Sequence, residues 1–433
     1  MPYENEKKRF PELTGKKLLI LGGNAPHIKL VNAARELGVH TIVTDYLQPE
    51  ASPAKKAADE YWMVSYGDID TLAQRCRECQ VDGVLAVSYE SAQIPYYHLC
   101  KELGVPCYGE LEQFETLSNK RLFKELCSRS GVCVIPEYDL ETAMAGEAEF
   151  PVIVKPVDRC GSNGMTVCHT VEELALAVKA ARDESLSGEM IIEKYLADKN
   201  SFQITYFFAD GTPYLIRTVD GYKGMVEDQL DRVALCSVSP SVYTDAYLQT
   251  THEHFVEMLK SIGVRNGPVM AQGFYDDGVF RFYDPGRRFP GTDFEIVYRD
   301  LFGIDLMQMM VVFALTGKMP EVSDGLADEN VYLRGKKAVV LFPTLRLGTI
   351  GAVSGYTALK EDPRVWNVSQ KHVAGATIKQ ANTVSQRIFE VDFVADSDRE
   401  VKDTIRKIQE SISVTDDEGK PMVAHPFDVE RIQ

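Results

Sequence analysis

No apolar run in this chain of 433 residues reaches the roughly 18–20 that a bilayer-spanning helix needs, so no helical membrane span is expected. The charged start, residues 1–9, runs into no apolar signal core, which makes a cytoplasmic location the expectation. Positive charge is scarce: 47 Lys and Arg stand against 64 Asp and Glu, a net charge of −17. With no dense basic stripe, that balance opposes a nucleic-acid backbone as partner. It does not oppose a nucleotide, because local lysines and arginines set the field inside a cleft. Cysteine is too sparse for a disulfide framework: nine residues, an odd number, lie mostly within apolar segments and read as reduced thiols. Cys76 and Cys79 have redox or zinc spacing, but they fall in a helical pattern and no second pair follows. Internal repeats and low-complexity segments are absent. So is any Ser–His–Asp or Cys–His grouping that would indicate a side-chain nucleophile.

What is present begins with alternating strands and helices. An apolar strand from Lys16 runs into Gly22 and Gly23, a helix spans His27 to Leu37, and a strand from His40 ends at Asp45. Helix Ile69 to Cys79, a strand from Gly83 and helix Ala92 to Leu103 follow, which predicts a doubly wound parallel sheet. Gly22 and Gly23 are a fragment of a dinucleotide fingerprint. Pro26 and His27 stand where its third glycine would be, so a nicotinamide site is a weak reading, and tight strand-to-helix packing explains both glycines equally well.

From Glu115 the character changes. A Ser118 or Asn119 cap opens an amphipathic helix at Lys120, and a later helix spans Val171 to Arg182. The most informative stretch runs from Phe150 through Lys155 to a loop with Gly161, Ser162 and Gly164. A lysine at a strand end beside a glycine-rich loop can hold phosphate, since glycines let backbone N–H groups approach and the ammonium neutralises charge. Long strands at Ser201 to Phe208 and Pro213 to Val219 are expected to pair antiparallel, with Tyr222 and Lys223 in an exposed polar loop beyond them. Ala246 to Ile262 reads as one helix, and strands Pro268 to Tyr275 and Val279 to Tyr283 as a hairpin about Asp276, Asp277 and Gly278. Helix Leu306 to Leu315 precedes a β-rich last hundred residues.

Lys120 opening a helix, Lys155 before its small-residue loop, the Glu193–Leu196 stretch and the hairpin ending at Asp284 to Arg288 come in an order that resembles the ATP-grasp superfamily. The resemblance runs from about Lys16 to the C-terminus and includes the flanking units seen in biotin carboxylase and L-amino-acid ligases. It implies an α/β and α+β fold: an N-terminal doubly wound parallel α/β domain (1–114), ATP-grasp central domains (115–328, with a flap at about 130–205) and a β-rich C-terminal domain (329–433). By the resemblance, Lys120 and Lys155 contact ATP phosphates and the loop with Gly161, Ser162 and Gly164 closes over them. Glu193, Lys194, Tyr195 and Leu196 form the adenine hinge, with the Glu193 carboxylate accepting from the amino group. Arg288 matches the arginine of a Glu-x-Asn-x-Arg motif and faces the transferring phosphate. An arginine on a rigid hairpin stabilises charge that develops there.

The departures concern metal. Gln272, Asp284 and Gly286 stand where the family has two glutamates and an asparagine for two Mg²⁺ ions, and only Asp284 keeps a carboxylate. An amide is a poorer ligand for a hard cation, and glycine offers none. Asp293 and Glu295 are candidate replacement oxygens. Two readings follow. In the first, ATP phosphorylates a small carboxylate, which an amine or another nucleophile then attacks. Arg287, Arg288 and Arg217 are then the cations for that carboxylate, and Asp45 and Glu90 face the cleft to select the amine. In the second, a divergent relative binds nucleotide with weak or no catalysis, and Gln272→Glu with Gly286→Asn would strengthen Mg²⁺ binding. ATP and Mg²⁺ (Mn²⁺ as an alternative ion) are the implied cofactors, and a homodimer is the expected assembly.

Overall fold

The computed structural model describes residues 10–159, 164–196, 201–224, 233–321, 325–424 and 426–433. Gly161 and Ser162 lie outside the described residues.

The first unit is built on four parallel strands in the spatial order Glu60–Trp62, His40–Thr44, Lys17–Leu21, Gly83–Leu85. Lys17–Leu21 and His40–Thr44 are nearly continuous apolar runs, as strands covered on both faces must be. Part of that cover comes from far along the chain. Helix Leu306–Thr316, buried at ten of its eleven positions, packs on helix His27–Glu36 and on strand Gly83–Leu85. The approach is close enough to require glycine: a β-carbon at Gly83 would fall 2.5 Å from the Ala314 carbonyl oxygen.

The Gly22 and Gly23 turn has the packing origin rather than the nicotinamide one. A β-carbon on Gly23 would lie 1.9 Å from Ser52 Oγ, and Ser52 Oγ in turn donates to Asp45 Oδ2 at 2.7 Å. Below this turn His27 is fully buried beside Asn24, and burial, with Lys29 adding to it, pushes its imidazole down to about 4 from an ordinary 6.5. The folded protein therefore takes up His27's proton less readily than the unfolded chain. The resulting stability is full above pH 6.5 and is lost as pH falls from there through about 4. The full loss is about 3 kcal/mol. We expect the urea midpoint, followed by fluorescence of the buried Trp62, to fall over that range and to fall less in His27→Gln.

The second unit is an antiparallel sheet of eight strands in the order Val279–Gly286, Gly267–Asp276, Ser201–Ala209, Thr212–Lys223, Ala234–Ser239, Lys337–Leu341, Phe389–Ala395, Val365–Gln370. It runs without a break from the hairpin into the C-terminal strands. A smaller antiparallel sheet, Glu137–Tyr138, Met190–Lys194, Val152–Pro156, Thr166–Cys168, has helix Val171–Glu184 packed on it. A three-stranded sheet, Thr377–Ile378, Gly348–Ser354, Ser413–Asp416, and helix Asp398–Ser411 complete the C-terminal part. The eight cysteines among the described residues are unpaired.

Two elements differ from expectation. The strand expected to stop at Val219 continues to Lys223, so Tyr222 is not in an exposed loop but buried against Phe427. In the fold the Asp220 carboxylate is satisfied inside, accepting from Ser241 Oγ at 2.5 Å and Val242 N at 2.8 Å. The single helix expected over 246–262 is two, Thr244–Thr250 and His252–Ser261, broken at Thr251 with φ −132°. Thr250 Oγ1 donates back to the Ala246 carbonyl at 2.7 Å, and two β-branched residues in a row disfavour continuation.

Candidate functional site

Helix Lys120–Arg129 begins where Asn119 Oδ1 accepts from Arg121 N and Leu122 N, a side-chain cap that fixes the first turn. The backbone N–H of Lys120 donates to the Val157 carbonyl at 3.0 Å, which ties the helix start to the chain just beyond the Lys155 strand. Lys120 Nζ then reaches Asp284 Oδ1 at 3.0 Å and the Arg159 carbonyl at 2.7 Å. The hairpin carboxylate of Asp284 and the Lys120 ammonium are thus in direct contact.

Lys155 lies buried on strand Val152–Pro156, its ammonium paired with Glu193 Oε2 and 4.9 Å from the centre of the Tyr283 ring. Burial depresses its basicity, Glu193 opposes that, and Lys120 and Lys124 add to it. The Glu193 carboxylate, expected to accept from an adenine amino group, is fully buried and engaged by lysines: Lys124 Nζ holds Oε1 at 2.5 Å and Lys155 holds Oε2. Strand alternation is the cause: Ile192 enters the small apolar core, so Glu193 points to the opposite face, toward the lysines. The two ammoniums keep it ionised below the usual glutamate range in spite of its burial. Lys124 is the residue that sequence reasoning missed. It sits one helical turn after Lys120, the spacing that puts both on one face, and also donates to the Ile135 carbonyl and Glu137.

Along Glu193–Leu196, Lys194 N donates to the Pro136 carbonyl and Tyr195 N to the Pro151 carbonyl, each at 3.0 Å. The Lys194 ammonium lies outside on Glu149. Lys223 Nζ donates to the Leu196 carbonyl at 3.4 Å and lies over the rings of Tyr195 and Phe274. Phe274 stacks on Tyr283 with centroids 5.2 Å apart, which brings these apolar faces together beside Lys155. Gly164, with φ +68°, packs close: a β-carbon there would meet Pro156 Cγ at 2.8 Å.

On the hairpin Gln272 pairs in register with Asp284. Gln272 Oε1 accepts from the Tyr283 hydroxyl at 3.0 Å. Asp284 remains the hairpin's carboxylate at this point. The loop after Gly286 is anchored to the first unit by Phe289 N, which donates to the Val87 carbonyl at 2.7 Å. Arg288 Nε donates to Glu90 Oε2 at 2.5 Å, and Nη1 to the Phe289 carbonyl at 3.0 Å.

Arg287 does not join Arg288. It is fully buried, with Nη1 on the Pro268 carbonyl at 2.6 Å and Nη2 on the carbonyls of Tyr108, at 2.8 Å, and Asn266. Neighbouring residues just past a strand end face opposite ways, so Arg287 ties the hairpin to the first unit while Arg288 pairs with Glu90. We expect Arg287→Met to lose about 3 kcal/mol of stability in chemical denaturation, because three buried carbonyls lose their donor. Arg217 is also tied down, donating to Ser239 Oγ at 3.2 Å and Thr292 Oγ1 at 2.9 Å.

Asp45 and the two loop acids are likewise engaged elsewhere. Lys55 Nζ lies 2.7 Å from Asp45 Oδ1, and Leu47 N donates to the same oxygen at 2.8 Å. Lys29 holds Glu295 Oε2 at 2.5 Å and Asp293 Oδ1 at 3.4 Å. Asp293 forms a cluster with Glu390 and Asp392 rather than with Asp284, and Asn367 Nδ2 bridges Asp293 and Asp392.

Comparison with known proteins places this geometry. Residues 114–268 match the family model described as carbamoyl-phosphate synthase L chain, ATP binding domain. The chain is 28% identical over 203 residues to the 2-oxoglutarate carboxylase small subunit of Hydrogenobacter thermophilus, covering 42% of each chain. It is 23% identical over 209 residues to biotin carboxylase 1 of Bacillus subtilis, covering 44% of this chain and 46% of that one. The matched regions thus span less than half of these curated relatives. Among solved structures, L-amino acid ligase from Bacillus licheniformis superposes with a TM-score of 0.75 at 18% identity, over 93% of this chain and 99% of that one. The biotin carboxylase domain dimer of Hydrogenobacter thermophilus 2-oxoglutarate carboxylase, in complex with MgADP, ADP and bicarbonate, gives 0.71 at 18% identity, over 94% and 91%. The sequence of residues 114–268 thus resembles an ATP-grasp ATP-binding domain, and the fold around it is shared with L-amino acid ligase and the biotin carboxylase domain.

Proposed function

We propose that the protein is an ATP-dependent ligase that activates a small carboxylate for attack by an amine or another nucleophile. The observation that carries this reading is the meeting of Lys120, Lys155, Asp284 and Arg288, brought from two sheets and a helix start, around one cleft. Tyr195, Leu196 and Phe274 are the adenine wall in this reading, with Lys120 and Lys155 on the phosphates. A substrate carboxylate oxygen attacks the γ-phosphorus, the β–γ bridging oxygen leaves with ADP, and an acyl phosphate forms. The nucleophile's nitrogen then attacks the carbonyl carbon, phosphate departs and the nitrogen loses a proton. Arg288 stabilises the charge on the transferring group.

The donor set fits one hard cation: the Asp284 carboxylate, with nucleotide oxygens and water completing the shell. When bound, Mg²⁺ supplies neutralisation of the β and γ oxygens. Mn²⁺ is an alternative ion for the same oxygens. The relatives' names support this class, and the dimer of the biotin carboxylase domain supports a homodimer here. A division at about 114 and 328 into first, ATP-grasp and C-terminal units belongs to the same proposal, as does a cytoplasmic location. Among the described residues no helix is long and apolar enough to cross a membrane.

The test is ADP release with ATP and Mg²⁺ across pairwise combinations of amino acids and small carboxylates. Release that depends on one pair supports the ligase. Silence across the panel, with ATP still binding in a separate titration, supports a second reading: a nucleotide-binding relative with weak or no turnover. The Gln272 amide favours that second reading, because its oxygen is occupied by the Tyr283 hydroxyl.

A further inference from the structure

Gly286 stands where the family's motif carries asparagine, and its backbone does not call for glycine, since its φ is not positive. Room is what it provides. A β-carbon built at Gly286 would fall 3.1 Å from Met270 Cγ, 3.3 Å from Glu90 Oε2 and 3.4 Å from Arg288 Cγ. The space an asparagine side chain would enter therefore holds a carboxylate that arrives from nearly 200 residues upstream, in the turn Glu90–Ala92 before helix Gln93–Leu103.

That carboxylate is fixed on one side only. Arg288 Nε holds Oε2 at 2.5 Å, whereas Oε1 is buried with no hydrogen-bond partner. A buried carboxylate oxygen without a donor costs free energy unless something else engages it. The charged groups facing Glu90 are Arg288, Asp284 and Lys120, so a second carboxylate, the hairpin's own, lies across from it. Two carboxylates near enough to feel each other's charge, with Lys120 beside Asp284, suit a hard divalent cation, which takes oxygen ligands and offsets both charges.

We propose that Glu90 supplies the metal-ligand oxygen that Gly286 lacks, so that the nucleotide's divalent cation is held by Asp284 and Glu90 together. This inference rests on the ATP-binding reading of the cleft. It assigns Gly286 a purpose, which is to admit the Glu90–Arg288 pair. It also makes Gln272, turned to Tyr283, unnecessary as a ligand. Gly286→Asn then has the opposite effect to the one the motif suggests, because the new side chain displaces Glu90.

The test titrates Mn²⁺ into the full chain with saturating ADP, reading free Mn²⁺ by electron paramagnetic resonance. A parallel calorimetric titration measures ADP binding in chelator. Glu90→Gln is close in shape and keeps an acceptor for Arg288. It is expected to weaken Mn²⁺ binding about tenfold or more, as Asp284→Asn does. ADP affinity in chelator should be unchanged or tighter, since an anion near the phosphates is removed. Gly286→Asn should weaken Mn²⁺ binding as well. Mn²⁺ affinity within twofold of the parent in Glu90→Gln, alongside a loss in Asp284→Asn, overturns the proposal and leaves the nucleotide reading standing. Tighter Mn²⁺ binding in Gly286→Asn overturns it too. A parent protein that binds ADP but no Mn²⁺ overturns the metal site alone, and one that binds no ADP overturns the functional reading beneath it.

Discussion

Arg288→Met is expected to lower kcat about 10²–10³-fold while leaving ATP affinity within a few-fold of the parent. The guanidinium sits at the end of a hairpin whose register is fixed by pairing with strand Gly267–Asp276, and Phe289 N anchors the next residue to the first unit. In the proposed reaction it would meet developing charge without reorganising, the condition under which a fixed cation lowers a barrier rather than only improving binding. Its partner Glu90 loses its hydrogen-bonded cation in this variant and keeps only the more distant Lys120. Burial already holds that carboxyl above the usual glutamate range, with the Asp284 charge adding to it, so proton uptake relieves the loss and the fold survives. Steady-state kinetics on the active substrate pair, beside a denaturation curve, checks both halves. An unchanged kcat would remove Arg288 from the chemistry.

Lys155→Met is expected to weaken ATP binding about 10²-fold, the larger of the two lysine effects. In the free protein one carboxylate, Glu193, lies between two buried ammoniums, Lys124 and Lys155, while Asp284 offsets Lys120. Glu137 also pairs with Lys124, so the three lysines face three carboxylates before nucleotide arrives. An ammonium about 4 Å from a phosphate charge is worth roughly 4 kcal/mol at an effective dielectric of 20. Part of that is cancelled because Lys155 gives up contact with Glu193. Lys124 keeps hold of the Glu193 carboxylate, so no bare buried charge is left when Lys155 turns to the phosphate. Removing Lys155 forfeits the phosphate contact, whereas Lys124→Met acts only through Glu193 and should cost less. Isothermal titration with ATP ranks the two, and a larger loss in Lys124→Met would contradict this order. Because burial holds Lys155 below the usual lysine range, ATP affinity should also start to fall at a lower pH than an ordinary lysine implies.

Much of this was readable in sequence because it depends on short-range signals. An Asn119 cap places Lys120, and an apolar run followed by a glycine-rich loop places Lys155. A turn at Asp277 and Gly278 places the hairpin, and strand-helix alternation places the first sheet. What was not readable depends on which face a side chain takes and on contacts across the chain. Glu193 looked like a hinge acceptor until strand alternation turned it toward Lys124. Arg287 and Arg288 are adjacent and chemically alike, and only the packing of one against Tyr108 separates them. Glu90 and Gly286 carry no shared signal in one dimension, since the relation between them is an occupied volume. Asp293 and Glu295 looked available because the sequence does not show Lys29 pairing with them.

In the proposed reaction a substrate carboxylate becomes an acyl phosphate. The most direct measurement follows ¹⁸O from a carboxylate-labelled substrate, incubated with ATP, Mg²⁺ and the amine that together give ADP release. Transfer of one labelled oxygen into the inorganic phosphate, read by mass spectrometry, is the predicted result, because attack on the γ-phosphorus leaves that oxygen bridging carbon and phosphorus. Phosphate that carries no label, formed at the same rate as ADP, would mean that water and not the carboxylate accepts the phosphoryl group, and would contradict the account.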